Sequence, residues 1–261
     1  MKNSAKTEET RVEAVSKALL ILECFAEGKD ALSLKQLSDM TGMYKSRILR
    51  LCGTLIYHGF LLRDENGIYR IGPKLLTLGK IYERNNPLIA LARPILRELC
   101  SLTGESCKLF VVDGTKRLCL AKEKSPSPLR YTIEEGQRLE LYAGAGGKAI
   151  LAFSSKAFQD RVLRENPLKR LTPNTIVESD LLEAEFQKIQ RNGYATSYEE
   201  SIRGVASVAA PVFDHTRNVC ASLTIAGPIQ RFDNKSASEM TQNLLSSAKK
   251  LSKLMGYAFS T

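Results

Sequence analysis

Residues 143–153 read AGAGGKAILAF and place three glycines and Lys148 directly before an apolar run. A glycine-rich turn at the start of a helix presents free backbone N–H groups, which bind a carboxylate as readily as a phosphate. The Walker phosphate-binding pattern needs a glycine and a hydroxyl where this sequence has Tyr142 and Ala149, so that pattern is absent. A looser dinucleotide-binding pattern at 144–149 lacks the second β-rich strand that it requires. The sequence therefore predicts an anion-binding turn but no nucleotide site.

The cysteines and histidines are not arranged for metal binding or catalysis. The six cysteines contain no C-x-x-C pair, and the two histidines do not join them at zinc-binding spacing. Several cysteines stand in apolar runs and are predicted to be buried, reduced thiols. No serine has the G-x-S-x-G surroundings of a nucleophile, and His215 falls in a predicted hairpin turn. We expect no catalytic residue, metal or cofactor; a small-molecule hydrolase or transferase with an accessory basic helical domain is the competing hypothesis.

A basic segment is the second feature that could do chemistry. The 261-residue chain has a formal net charge of +10, which indicates a polyanionic partner. Residues 40–63 contain Lys45, Arg47, Arg50 and Arg63 but no acidic residue. A helix with a basic exposed half is typical of one that enters the major groove of DNA. An ordinary solvated basic face has the same composition.

The elements around this segment favour DNA binding. Apolar spacing predicts a helix over 12–26, and a capping box at 33–36 begins a short second helix. After a glycine-containing turn, a third helix is predicted over 44–58. This order is that of a helix-turn-helix.

A β-hairpin is predicted directly after the third helix. The strand-like runs FLLR and IYRI flank an Asn-Gly turn at 66–67. The domain at 11–72 is thus predicted to be a winged helix-turn-helix, preceded by a polar tail at 1–10. Its predicted DNA contacts are Lys45, Ser46, Arg47, Arg50, Arg63 and Arg70.

The rest of the chain is predicted to form a connector and a second domain. Residues 73–104 are helical with a break near Pro87, and we interpret them as a linker. The second domain, 105–261, contains two predicted hairpins and three helical stretches, which indicates an α+β fold. The hairpins lie at 106–123 and 205–228, and the helices at 145–164, 179–191 and 235–256.

The sequence resembles the IclR family of bacterial transcription regulators. In the first domain the similarity lies in GMYKSRILRLCGTLIYHGFLLRDENGIYRIG, where Tyr44 replaces the family's usual proline and Arg47 its usual threonine. In the second domain it lies in LYAGAGGKAILAF, NGYATSYEE, and RGVASVAAPVFD followed by SLTIAGP. The motifs occur in the expected order over about 12–257.

The resemblance implies a GAF-like second domain that binds a small organic, sugar or aromatic acid. Ser197 stands where relatives can have aspartate, which eases binding of a more anionic ligand, and Ser207 where they can have cysteine. Lys148 is expected on the helix surface or at an interface, and Glu199 and Glu200 are expected to stabilise the pocket loop or to face solvent. The implied effector contacts are Tyr131, Leu139, Ala145, Gly146, Ser197, Val205, Ser207 and Thr224.

The sequence thus predicts a cytoplasmic, ligand-responsive DNA-binding regulator that represses a catabolic operon. The resemblance implies that the linker forms a homodimer or a dimer of dimers, which would bind a near-palindromic operator of double-stranded DNA. No apolar run approaches the roughly 18 residues needed to span a bilayer, so no membrane contact is expected. A DNA-bound structural protein without a ligand is a third hypothesis.

Overall fold

The computed structural model describes residues 11–27, 29–131 and 133–259, so the tail predicted at 1–10 lies outside the described residues. The chain divides into two compact units between Asn86 and Pro87. This division falls inside the segment interpreted as a linker, and each half of that segment belongs to a different unit. The second half is part of the second unit because its apolar side is buried in that unit's core.

The first unit is a winged helix-turn-helix domain followed by one further helix, as predicted. Its core collects apolar side chains from three helices and the hairpin, including Ile21, Leu37, Ile48 and Tyr69. Its elements are α1 (Glu13–Glu23), α2 (Leu34–Thr41), α3 (Lys45–Tyr57), β1 (Leu61–Arg63), β2 (Tyr69–Ile71) and α4 (Pro73–Asn85).

Local contacts fix the turn between α2 and α3. The predicted capping box is present: the Ser33 hydroxyl accepts from the Gln36 N–H, and the Gln36 side chain accepts from the Ser33 N–H. Gly42 ends α2 at φ +68°, a conformation that favours glycine. Met43 is buried directly after it. These contacts set where α3 begins.

The wing is a short antiparallel hairpin. Leu62 pairs with Arg70 across β1 and β2, and Leu32 adds a bridge to the buried Tyr69. The Asp64 carboxylate accepts from two backbone N–H groups of the turn, which closes it around Gly67 at φ +77°. The wing is therefore anchored to the core through Tyr69.

The second unit is a six-stranded antiparallel sheet with helices on both faces. The strand order is β5-β4-β3-β8-β7-β6, with every neighbouring pair antiparallel. The strands are β3 (Ser106–Asp113), β4 (Lys116–Glu123), β5 (Arg138–Glu140), β6 (Ala195–Tyr198), β7 (Val205–Phe213) and β8 (Val219–Pro228). The helices are α5 (Pro87–Thr103), α6 (Ala145–Ala152), α7 (Lys156–Glu165), α8 (Ser179–Asn192) and α9 (Asn234–Leu254).

Alternate residues of the strands face two separate hydrophobic cores. Helices α5 and α9 pack on one face of the sheet, and α6 and α8 pack on the other. The predicted α+β architecture is confirmed, but the single helix predicted over 145–164 is two helices. The chain turns at Phe153 and Ser154, and the Ser155 hydroxyl then caps α7. Within the described ranges no helix is both long and apolar enough to cross a membrane.

Candidate functional site

The six side chains predicted to contact DNA are all exposed on the first unit. Ile48, Cys52 and Leu55 are the buried side of α3, so its first two turns present Lys45, Ser46, Arg47 and Arg50 outwards. Arg63 and Arg70 stand on β1 and β2 of the wing. Their exposure and charge suit contacts with the grooves and phosphates of a duplex.

Arg47 also has an acidic partner that the sequence did not indicate. Its guanidinium forms an ion pair with the Glu13 carboxylate of α1 at 2.9 Å. An exposed ion pair of this kind contributes about 0–1 kcal/mol, so a phosphate or a base edge can replace it. Arg63 lies over the ring of Tyr69, with its Cζ 5.4 Å from the ring centroid, which orients it at the base of the wing.

The second unit contains a cavity where the start of α6 approaches the sheet. The sheet register makes this side of the sheet hydroxyl-rich, because Ser197 of β6 lies opposite Ser207 of β7. Six of the eight residues predicted to contact the effector line this cavity: Tyr131, Gly146, Ser197, Val205, Ser207 and Thr224.

The other two predicted contacts lie beside the cavity rather than in its lining. Ala145 is fully buried in the hydrophobic core between α6 and the sheet, and Leu139 packs against the same core from β5. A role for the Ala145 backbone N–H stays a prediction.

Gly146 is needed for packing of the protein itself. A Cβ at this position would lie 2.7 Å from the Thr224 hydroxyl and 2.8 Å from the Phe110 ring. The Ser222 hydroxyl also donates to the Gly146 carbonyl at 2.8 Å, which fixes α6 on β8. Glycine therefore allows the helix to approach the sheet, so replacing it would disturb the fold before it reported on a ligand.

Lys148 is buried, so the expectation that it lies on the helix surface is wrong. Its Nζ donates to Glu185 at 2.8 Å and to Glu200 at 2.6 Å. Glu200 in turn accepts from the Gly144 N–H, and the Glu199 carboxylate accepts from the Gly204 N–H. Burial raises the pKa of Glu200, and the Lys148 ammonium partly offsets that rise. These carboxylates hold the loops around the cavity.

Two cations line the cavity that the sequence analysis did not select. Lys108 of β3 is 1% exposed and Arg117 of β4 is 4% exposed. Neither forms a hydrogen bond through Lys108 Nζ or Arg117 Nε, and neither has a carboxylate within 4 Å in the described part of the chain. Burial lowers the pKa of Lys108 to about 8 and also lowers the pKa of Arg117, whose guanidinium nevertheless stays charged.

Each of these two cations lies over the face of an aromatic ring, which partly stabilises its charge. Lys108 Nζ lies 4.8 Å from the Tyr131 ring centroid, and Arg117 Cζ lies 4.8 Å from that of Phe110. A desolvated cation–π contact contributes about 2 kcal/mol, whereas burying an ion costs several kcal/mol. The cavity is therefore poised for an anion, which would supply the missing counter-charge.

Within the described ranges the structure holds no cluster of histidine, cysteine and carboxylate side chains that could bind a metal. All of the cysteines except Cys220 are buried, and no disulfide joins any of them within the described ranges. The cavity contains two cations, several hydroxyls and aromatic rings but no nucleophile–base pair among its lining residues.

Two family models match the chain over most of its length. The model for the IclR helix-turn-helix domain matches residues 14–65. The model described as bacterial transcriptional regulator IclR C-terminal matches residues 81–253. These matches coincide with the winged domain and with the sheet domain that encloses the cavity.

Known proteins of similar sequence and structure agree with the family models. The HTH-type transcriptional regulator KipR of Bacillus subtilis is 30% identical over 257 residues, covering 98% of this chain and 100% of that protein. The transcriptional repressor IclR of Escherichia coli is 27% identical, covering 94% and 91%. The IclR structure from Thermotoga maritima is 28% identical with a TM-score of 0.73, covering 95% of this chain and 100% of that one. The chain therefore belongs to the IclR family of DNA-binding transcriptional regulators, and it is not an enzyme.

Proposed function

We propose that this regulator represses a catabolic operon and that a small organic acid bound in the cavity controls its affinity for DNA. The observation that carries the effector proposal is a cavity lined by two buried cations that have no carboxylate partner in the described structure. Curated relatives named as repressors, such as the acetate operon repressor of Salmonella typhimurium, support the direction of control.

The proposed assembly is a homodimer or a dimer of dimers on a near-palindromic operator in the cytoplasm. A single recognition helix reads only about half a turn of DNA, which is too little for specificity in a genome. No residue of α4, all of which is described, is buried within its own chain. Its exposed apolar side chains, Leu76, Leu78, Ile81 and Tyr82, offer a surface for a second copy.

The test is an operator-binding titration combined with a screen of small acids. Fluorescence anisotropy would measure binding to DNA from upstream of the protein's own gene, with and without each acid. An acid that raises the melting temperature should also change operator affinity. Ser207→Ala should weaken the binding of that acid by about 0.5–1.5 kcal/mol, since it removes one neutral hydrogen bond.

The outcomes separate the proposed function from its alternatives. An acid that binds but leaves operator affinity unchanged would contradict effector control. A protein that binds its operator but no acid would favour the DNA-bound structural role. Transcription from the operator that rises on adding the protein would show activation rather than repression.

A further inference from the structure

Unpartnered polar atoms concentrate at the cavity. Seven buried side-chain atoms have no hydrogen-bond partner in the described part of the chain. Three belong to residues that are otherwise engaged: Glu105 pairs with Arg231, Lys122 with Glu134 and Glu140 with Lys116. The other four all line the cavity: Lys108 Nζ, Arg117 Nε, Ser201 Oγ and Thr224 Oγ1.

These four atoms form two separate groups. Lys108 and Thr224 are direct cross-strand neighbours on β3 and β8, so their side chains stand together on the α6 face of the sheet. Arg117 and Ser201 meet beside Gly144, because a Cβ there would lie 2.7 Å from Ser201 Oγ and 3.0 Å from Arg117 Nη2. Each group combines one cation with one hydroxyl.

Phe110 lies between the two groups. The strand register places Arg117 opposite Val112, four residues along β3 from Lys108, with Phe110 midway. The Arg117 guanidinium rests on the Phe110 ring, and one edge of that ring faces Gly146, beside the Thr224 hydroxyl. Phe110 therefore contacts both groups, and the two cations reach the cavity from different strands.

The lining supplies no negative charge of its own. Among the described residues around the cavity none is acidic. Glu200, the nearest carboxylate to Gly144, is already bound to the Lys148 ammonium and to the Gly144 N–H. A ligand with one negative charge would balance only one of the two buried positive charges.

We propose that the ligand of this cavity is a small dicarboxylate that bridges the two groups. Arg117 and Ser201 bind one carboxylate, Lys108 and Thr224 bind the other, and a short hydrocarbon chain between them lies on Phe110. A phosphate carries negative charge but has no hydrocarbon part that could lie on Phe110. The inference rests on the proposed effector function of the cavity and specifies the chemical class of that effector.

The test compares dicarboxylates with their own half-esters. Isothermal titration calorimetry would measure Kd for succinate, glutarate and adipate, for the monomethyl ester of each, and for inorganic phosphate. The best dicarboxylate should bind roughly tenfold or more tightly than its half-ester, because esterification removes one charge-assisted contact. Lys108→Met should reduce that ratio to less than about threefold, while Lys124→Met, which removes an exposed lysine charge from the same unit, should leave it unchanged.

A melting curve of each ligand-free variant checks that the variant is folded, so that a reduced preference for the dicarboxylate over its half-ester does not result from misfolding. Equal affinity for a dicarboxylate and its half-ester in the wild type would overturn the dicarboxylate inference and leave the proposed effector function standing. Tighter binding of inorganic phosphate than of every dicarboxylate would overturn it as well. Failure of every acid and half-ester to bind would overturn both proposals together.

Discussion

Lys108 and Lys148 show how differently the same residue type can be buried. Both are 1% exposed, on β3 and α6 of the second unit. Lys148 donates to two glutamates, whereas the Lys108 ammonium lies over the face of Tyr131 and has no hydrogen-bond partner among the described residues. A buried ion pair that loses one partner leaves an uncompensated charge, whereas a buried charge that has no partner is itself a cost. Lys148 therefore stabilises the fold, whereas the burial of Lys108 costs free energy that a bound anion can offset.

Opposite changes in stability should follow from replacing these two lysines with methionine in the ligand-free protein. Lys148→Met should lower the free energy of unfolding by about 3–5 kcal/mol, because Glu185 and Glu200 lose their counter-ion. Lys108→Met should raise it by about 1–4 kcal/mol, because an unpaired charge is replaced by a flexible apolar chain. Urea unfolding of both variants beside the wild type measures the two changes. A loss of stability in Lys108→Met would mean that its ammonium has a structural partner.

The free-energy cost of burying Lys108 should depend on pH. Burial lowers its pKa in the folded chain to about 8 from the ordinary 10.5, so below pH 8 it is charged both folded and unfolded and the cost is complete. Between pH 8 and 10.5 the folded chain releases this proton while the unfolded chain keeps it, so stability rises with pH. The neighbouring Cys119 and Tyr131 also have raised pKa values, and Arg117 and Lys122 are the other cations nearby.

The stability gap between Lys108→Met and the wild type should therefore narrow as the pH rises from about 8 towards 10.5. Urea unfolding of both proteins at pH 7.5 and pH 9.5 measures it, and the difference between the proteins cancels titrations that they share. A gap that stays constant over this range would contradict a lowered pKa at Lys108.

At the scale of elements, we expect α3 and the wing to contribute differently to DNA binding. Arg50 lies on the exposed side of α3, where we expect a side chain to reach base edges, whereas Arg63 stands on the hairpin, where we expect it to contact the phosphate backbone. The two arginines should consequently differ in what their loss does to specificity, even though both carry the same charge.

Arg50→Ala should weaken specific operator binding by about 1–3 kcal/mol and binding to unrelated DNA far less. Arg63→Ala should weaken binding to both DNAs alike and reduce the salt dependence by about one unit. Anisotropy titrations at several salt concentrations separate the two effects, with the exposed Arg191 of α8, replaced by alanine, as the control. Identical behaviour of the two variants on both DNAs would refute this division.

The longer elements and hairpin turns could be predicted from sequence because helical spacing, the capping box at 33–36 and the glycine turns are local signals. The strands β5 and β6 have only three and four residues, which is too short for an alternating pattern to be visible. Lys108 and Arg117 were missed because charges in a strand usually mark its solvated face. Helix α6 covers that face of the sheet through tertiary packing, which cannot be predicted from local sequence.

On the scale of the whole molecule, two units with separate cores share one chain. The predicted DNA contacts lie on the first unit, and the cavity lies in the second. The exposed apolar residues of α4 belong to the first unit, directly before the division at Asn86. A second copy that pairs through α4 would bring two recognition helices to one operator.

Ile81→Asp should consequently lower the mass of the assembly, because it puts a charge in the apolar surface of α4. Light scattering at the concentration used for operator binding measures the mass, and the apparent operator affinity should fall with it. Thr77→Asp introduces the same charge at an exposed polar position of the same helix and should leave the mass unchanged. An unchanged mass in Ile81→Asp would place the contact between copies elsewhere.

The unpaired cations of the cavity also bear on how long a regulator molecule survives in the cell. Without an anion, Lys108 and Arg117 favour open states of the second unit, and proteases act on such states. A ligand at a hundred times its Kd would stabilise the folded chain by about 2.7 kcal/mol. We therefore expect molecules that lack effector to be degraded faster than those that carry it. Both the abundance of the regulator and its affinity for the operator would then depend on the concentration of the acid.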